Sequence, residues 1–243
     1  MTQQLKLAVL YHIFYEDSVN NIAEELNVLK GENAIFLFNI CSETPDKKRI
    51  TAILKKEFPF CFIIATSNKG KDIGAKLALL EMYLQLQVRA EYLLFLHDKR
   101  SLQALKSKSW KQDLLQILTP ENSRKAFNYF ESDKSCGLVA AENYVIDELV
   151  EGNHFVGING KLLAEIVKEF DIMPDSYKFV AGTMFWAREE PIRKFFIEHN
   201  PLFIRRRLEN GNVLDNFSGT ITHSWERALS WIVTSQGYHI KGV

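Results

Sequence analysis

Short, nearly unbroken apolar runs alternate with helix-period stretches through the first part of this 243-residue chain, and that alternation leaves few folds open. Residues 5–15 (LKLAVLYHIFY), 34–41 (AIFLFNIC), 61–66 (CFIIAT) and 92–96 (YLLFL) read as strands hidden on both faces. Between them, residues 17–29, 47–56 and 73–87 carry helical spacing. The first has Asp17 or Ser18 as N-cap, Ile22, Leu26 and Leu29 on one face, and Gly31 as terminator. Each interval is long enough for a crossover, so the expected product is a mostly parallel sheet flanked by helices, an α/β fold.

The second half is less regular. Helices are expected at 110–118, 123–132, 160–170 and 222–236, the last ended by Gly237. Strands are expected at 136–141 and 179–187, with Pro191 in the first turn of the next helix. Residues 143–160 and 213–221 read as loops. No repeat, low-complexity tract or linker interrupts the chain, so one domain over residues 1–243 is the simplest organisation.

Composition narrows the function. Thirty Lys and Arg balance thirty Asp and Glu, which argues against a partner bound through neutralised phosphates, so no nucleic acid is expected. Cys41, Cys61 and Cys136 are widely spaced and form no CxxC pair, which argues against a zinc ribbon and fits a reducing compartment. The amino terminus lacks a secretory pattern, and no apolar stretch approaches the roughly 20 residues of a membrane span. A cytoplasmic protein is expected.

In open α/β sheets ligands lie beyond the carboxyl ends of the strands. Four places fall there, Tyr11-His12 and residues 39–42, 67–74 and 97–101, and the last two carry the most polar residues. Residues 67–74 (SNKGKDIG) join a strand to a helix, where free N–H groups receive phosphate or ribose oxygens and Lys69 and Lys71 add charge. The plain alternative is a strand-to-helix turn with Asp72 as N-cap. Residues 97–101 (HDKRS) leave a buried strand and offer a diphosphate both a carboxylate for a divalent cation and basic side chains. The alternative is a solvated turn.

Further along, Glu226 lies near the start of the last helix, where a carboxylate could take a proton from an acceptor hydroxyl or complete a capping box. Trp186 reads as core or as a sugar-stacking platform. Arg205, Arg206 and Arg207 follow an apolar run, as a solvated helix face or as a contact with anionic lipid.

In order, residues 68–74 (NKGKDIG), 96–101 (LHDKRS) with Trp110 following, 137–139 (GLV), 181–188 (AGTMFWAR) and 223–227 (HSWER) resemble the rhamnan synthesis protein F family of bacterial polysaccharide and lipopolysaccharide glycosyltransferases. The resemblance spans nearly the whole chain. It implies a compact GT-A-like (Rossmann-like) domain, with residues 1–101 binding a nucleotide sugar and residues 102–243 forming the acceptor side. In folds of that kind an Asn-x-Gly turn holds the donor, a D-x-D motif binds a metal on the diphosphate, and a later carboxylate is the base. Asn68-x-Gly70, His97-Asp98-Lys99 and Glu226 fall in those places, although D-x-D has become H-D-K with Asp98 its single carboxylate.

The resulting expectation is an inverting transfer from a nucleoside-diphosphate sugar, rhamnose or another hexose, to a glycan or lipid-linked acceptor. His12, Asn68, Gly70, Asp72, His97, Asp98 and Lys99 would hold the donor. Asp98 would be the metal ligand if Mn or Mg takes part. Glu226 would be the base, and Trp186, His223 and Arg227 would line the acceptor side. Arg205, Arg206 and Arg207 would offer a peripheral contact at the inner face of the membrane. The competing readings are a non-catalytic nucleotide-sugar or glycan-binding subunit and a sugar-phosphate hydrolase using Asp72 and Asp98.

Overall fold

The structure is a computed structural model that describes residues 4–98, 112–149, 155, 157–215 and 219–243. Four parallel strands lead: β1 (Leu5–Ile13), β2 (Ala34–Cys41), β3 (Phe62–Thr66) and β4 (Ala90–His97). The sheet is completed by β5 (Cys136–Ala140), β8 (Phe185–Arg188) and β9 (His239–Gly242), in the order β3-β2-β1-β4-β8-β5-β9. Strand β8 runs antiparallel to both β4 and β5, and β9 runs parallel to β5. This is the mostly parallel, helix-flanked, Rossmann-like sheet that the apolar runs imply. A small second sheet pairs β6 (Val145–Asp147) with β7 (Lys178–Val180).

The period of two along β1 sorts its side chains into two cores. Leu7, Val9, Tyr11 and Ile13 face α1 (Val19–Glu25), α2 (Lys47–Glu57) and α4 (Pro120–Ser132). Ala8 and Leu10 face the other layer, built from α3 (Lys71–Gln85), α5 (Gly160–Glu169), α6 (Glu189–Glu198), α7 (Pro201–Arg207) and α8 (Ile221–Thr234). Burial on both faces explains why the runs of β1, β2 and β4 carry no polar alternation until their carboxyl ends. Strand β3, expected to be hidden as well, lies at the sheet edge and is partly exposed.

Several local expectations change. The strand expected at 179–187 is broken in two: Gly182 (φ 78°) and Thr183 (φ 50°) turn the chain, sending β7 to the small sheet and β8 to the main one. The first strand ends at Ile13 rather than residue 15, because the Phe14 and Tyr15 N–H groups donate to Asp98 instead of to a neighbouring strand. The helix expected at 17–29 is one helical segment between two 3-10 turns, and Ser18 makes no side-chain cap bond. Pro191 does fall in the first turn of its helix, as the third residue of α6. Strand β6 lies inside an expected loop. Strand β9 follows Gly237, where four half-buried residues give no apolar pattern to read.

Candidate functional site

Parallel register places His97 beside His12, and His12 beside Asn39, across the carboxyl ends of β4, β1 and β2. Their positions in the alternation put all three on the α3 side of the sheet. They are nearly buried, at 5%, 5% and 0% exposure. Asn39 Nδ2 lies 3.0 Å from His12 Nδ1. Burial pulls the His12 imidazole down to about 4, with the Asp72 charge opposing, so the ring is neutral near pH 7.

Above this row begins α3. Its N-cap is Gly70 in the left-handed region (φ 73°), so Asp72 is the second helical residue and not the cap. A Cβ on Gly70 would come within 2.2 Å of Leu208 Cδ1, and one on Gly74 within 1.7 Å of the Lys69 carbonyl oxygen. The two glycines therefore let the turn and the helix pack against their surroundings.

One turn into α3, Lys76 is fully buried. Its ammonium donates to Asp72 Oδ2 (2.9 Å) and to Thr183 Oγ1, and lies 3.0 Å from His97 Nδ1. Thr183 Oγ1 in turn donates to Asp72 Oδ2 at 2.7 Å. Burial pushes the Asp72 carboxyl up, but the Lys76 ammonium, His97 and these hydrogen bonds outweigh it and hold the group well below the usual carboxylate range. Burial draws the Lys76 ammonium down, with Asp72 opposing. The left-handed turn at Gly182 and Thr183 is what aims the threonine hydroxyl into this network.

A second polar group sits where α8 starts. Thr220 is its N-cap and accepts the His223 N–H at 3.1 Å. Glu226 lies beyond the capping-box position. Its Oε1 accepts the Gly182 N–H (2.7 Å) and its Oε2 accepts Arg227 Nη1 (2.9 Å), so it braces the Thr183 turn. His223 Nδ1 lies 2.6 Å from Asp215 Oδ1, and its Nε2 lies 3.4 Å from Lys71 Nζ. Asp215 also accepts from Asn159 Nδ2 (2.7 Å) and Thr220 Oγ1 (2.9 Å). Burial raises the Asp215 carboxyl, but these bonds and the contact with His223 leave it below its ordinary value.

Glu209 joins the two groups. Its backbone carbonyl accepts the Gly70 N–H at 2.7 Å. Its carboxylate accepts Ile221 N (2.7 Å), Thr222 N (3.0 Å) and Thr222 Oγ1 (2.6 Å). A carboxylate at a helix N-terminus is favoured by the exposed N–H groups and the dipole.

Several other expected residues make contacts within the fold. Asp98 is 4% exposed, and its oxygens accept Phe14 N (2.9 and 3.0 Å) and Tyr15 N (2.7 Å). With both oxygens engaged, and with no group of three His, Cys, Asp or Glu among the described residues able to hold an ion, these residues do not fit a resident metal. Lys99, Arg100, Ser101 and Trp110 lie outside the described residues.

Asn68 donates through Nδ2 to Glu43 (3.3 Å) and Asn212 (3.4 Å), while its buried Oδ1 has no partner among the described residues. Trp186 is core rather than acceptor-side: it is fully buried on β8, and its indole N–H donates to the Ile117 carbonyl. Arg227 is braced by Glu148 (3.0 Å) and stacks over Phe179. Among the arginine run, Arg205 donates to the Gly74 and Ser67 carbonyls, and Arg207 forks onto Glu169 at the surface.

Lys76, Thr183 and Asp215 leave little or no mark in the sequence, whereas Asn39 is among the strand-end residues it singles out. Lys76 leaves a trace there, a charge inside the apolar run IGAKLALLE four residues after Asp72. Asn39 interrupts the apolar run of β2. Thr183 and Asp215 leave none, because the turn and the contact with His223 exist only in three dimensions. A groove of about 210 Å³ lined by Phe170, His199, Phe203 and Arg207 contains none of these groups, so the chemistry points to the sheet edge instead.

A family model described as Rhamnan synthesis protein F matches residues 1–238. The chain is also similar to "Uncharacterized protein WxcX" from two strains of Xanthomonas campestris pv. campestris. In both cases it is 29% identical over 179 residues, covering 72% of this chain and 24% of the relative. The chain thus matches about a quarter of the length of these curated relatives. Among the described residues no helix is long and apolar enough to cross a membrane.

Proposed function

The chain belongs to the rhamnan synthesis protein F family, and from that premise we propose that it is a glycosyltransferase of cell-surface polysaccharide assembly using a nucleoside-diphosphate sugar. The observation that carries this reading is the row His97, His12 and Asn39 across the carboxyl ends of adjacent parallel strands, roofed by the start of α3. Ligands of open α/β sheets lie at that edge. A buried polar row is expensive unless its groups are partnered, and here the Asp72–Lys76–Thr183 network holds His97. His12 and Asn39 hold each other, and the buried Asn39 Oδ1 has no partner among the described residues.

In this reading the nucleotide lies over β1 to β3 near His12, Asn68 and Gly70. Its diphosphate faces the start of α3, where backbone N–H groups and Lys71 meet negative charge. Asp72 and Lys76 act from beneath, holding His97 and Thr183 in place. The leaving diphosphate gains charge as the sugar departs, and pre-set donors at that point lower the barrier. A single displacement inverts the anomeric centre. Rhamnose is the donor sugar that the family description suggests, and the acceptor is a growing glycan or a lipid-linked saccharide.

The test is release of nucleoside diphosphate from a panel of uridine- and deoxythymidine-diphosphate hexoses, paired with binding of the same donors. Saturable binding together with release supports the transferase. Binding with no release across the panel and a range of simple glycoside acceptors would favour a non-catalytic nucleotide-sugar-binding subunit.

A further inference from the structure

We infer that His223, oriented by Asp215, is the base that takes the acceptor hydroxyl proton in this transfer, in place of Glu226. The inference rests on the transferase reading and goes beyond it by assigning the proton.

The competing carboxylate is occupied. Glu226 accepts a backbone N–H on one oxygen and the Arg227 guanidinium on the other, so taking up a proton would weaken both the bond that sets the Thr183 turn and the ion pair with Arg227. His223 has the opposite arrangement. Its Nδ1 is within 2.6 Å of Asp215 Oδ1, and an ionised carboxylate there only accepts, which places the ring proton on Nδ1. The lone pair then sits on Nε2, the nitrogen that faces Lys71 on the donor side.

Asp215 is itself held by Asn159, which is 3% exposed, and by the Thr220 hydroxyl. A base within hydrogen-bond reach of a carboxylate, which is in turn fixed by its own partners, is the recurring arrangement of an activated proton acceptor. The His223 and Asp215 side chains are each 25% exposed, which leaves the imidazole reachable.

Lys71 completes the logic. Its ammonium lies 3.4 Å from Nε2. A diphosphate is a stronger partner for an ammonium than a neutral imidazole, so an arriving donor draws Lys71 away and exposes the base. In the step itself the acceptor oxygen bonds to the anomeric carbon. The bond from that carbon to the diphosphate oxygen breaks, with its electron pair leaving on the diphosphate. The hydroxyl proton passes to His223 Nε2 and from there to water.

The experiment compares wild type, His223→Gln, Asp215→Asn and Glu226→Gln for donor binding and for nucleoside-diphosphate release. It uses the diphosphate hexose that stabilises the wild type best, with methyl glycosides as probe acceptors. The expected result is a kcat loss of about 10²-fold or more in His223→Gln with donor affinity unchanged, the size of a lost general base. Asp215→Asn should lower kcat without moving the donor KM, and Glu226→Gln should lose far less than His223→Gln.

Undiminished turnover in His223→Gln, or a larger loss in Glu226→Gln, overturns the assignment. Nitrogen-resolved NMR of the wild type keeps it testable if the histidine variant does not fold: a neutral His223 protonated on Nε2 rather than Nδ1 also overturns it. A wild type that binds no nucleotide fails at the earlier step, overturning the transferase reading and this assignment with it.

Discussion

Glu209 and Gly70 share a backbone hydrogen bond of 2.7 Å, and through it the starts of α3 and α8 are fastened together. The carboxylate of the same Glu209 covers the first N–H groups of α8, while its carbonyl satisfies the left-handed cap of α3. Lys71 and His223 meet because of this clamp. Replacing Glu209 with Ala strands the Ile221 and Thr222 donors, and removing a charged cap of this kind costs about 2 kcal/mol. Urea denaturation should report that loss, with Glu209→Gln milder because its carbonyl oxygen still accepts.

Gly74→Ala reverses a familiar sign. In an exposed helix interior, Gly to Ala stabilises by about 1 kcal/mol. Here the new methyl would sit 1.7 Å from the Lys69 carbonyl oxygen, a backbone atom that cannot move without shifting the turn. The substitution should destabilise by about 2 kcal/mol or more, in the range for overpacking. A thermal midpoint equal to or above wild type would show that the turn is not held as described.

Lys76→Met tests the buried pair. Removing one partner of a buried ion pair costs about 3–5 kcal/mol, and the partial exposure of Asp72 sets the expectation at the lower end. Adding Asp72→Leu removes the carboxylate left unpaired and should recover part of the loss. A double variant no more stable than the single one would mean that Asp72 is satisfied without Lys76.

His12 gives stability a pH dependence of definite sign. Its folded value is lowered to about 4 from about 6.5, so between these values the unfolded chain binds the extra proton. The contribution is full above about pH 6.5 and is lost as pH falls toward 4, with a slope of up to about 1.4 kcal/mol per unit. His12→Gln should flatten that slope in denaturation curves taken across the window. Asp72 adds a loss at lower pH, since its carboxyl is also held below its ordinary value.

The sheet was legible because β1, β2 and β4 bury most of both faces, which leaves apolar runs that no helix of that length would need. Strand β3 kept its apolar run although it lies at the sheet edge, partly exposed. Asn39 and His12 were harder to weigh, since only register shows that they stand side by side. Strand β9 pairs through its backbone at the sheet edge with half-buried side chains, so nothing in HIKG announces it. The break at Gly182 and Thr183 was concealed by apolar neighbours on both sides, Ala181 and Met184 to Ala187. Site residues were found where a charge interrupts or ends a buried run, as at Asp72, His97 and Asp98. The Asp215–His223 contact joins the loop before α8 to its first turn, and no periodicity records such a meeting.

The central claim is that the carboxyl edge of β1 to β4 holds a nucleoside diphosphate, and its most direct test is thermal stabilisation by uridine, deoxythymidine, guanosine and adenosine diphosphates. A ligand at about 100 times its Kd adds about 2.7 kcal/mol to the native state, a shift well within measurement. A clear rise in Tm is expected for one or two of the nucleotides, reduced in Lys71→Met. No shift with any of them, at concentrations up to the millimolar range, would contradict it.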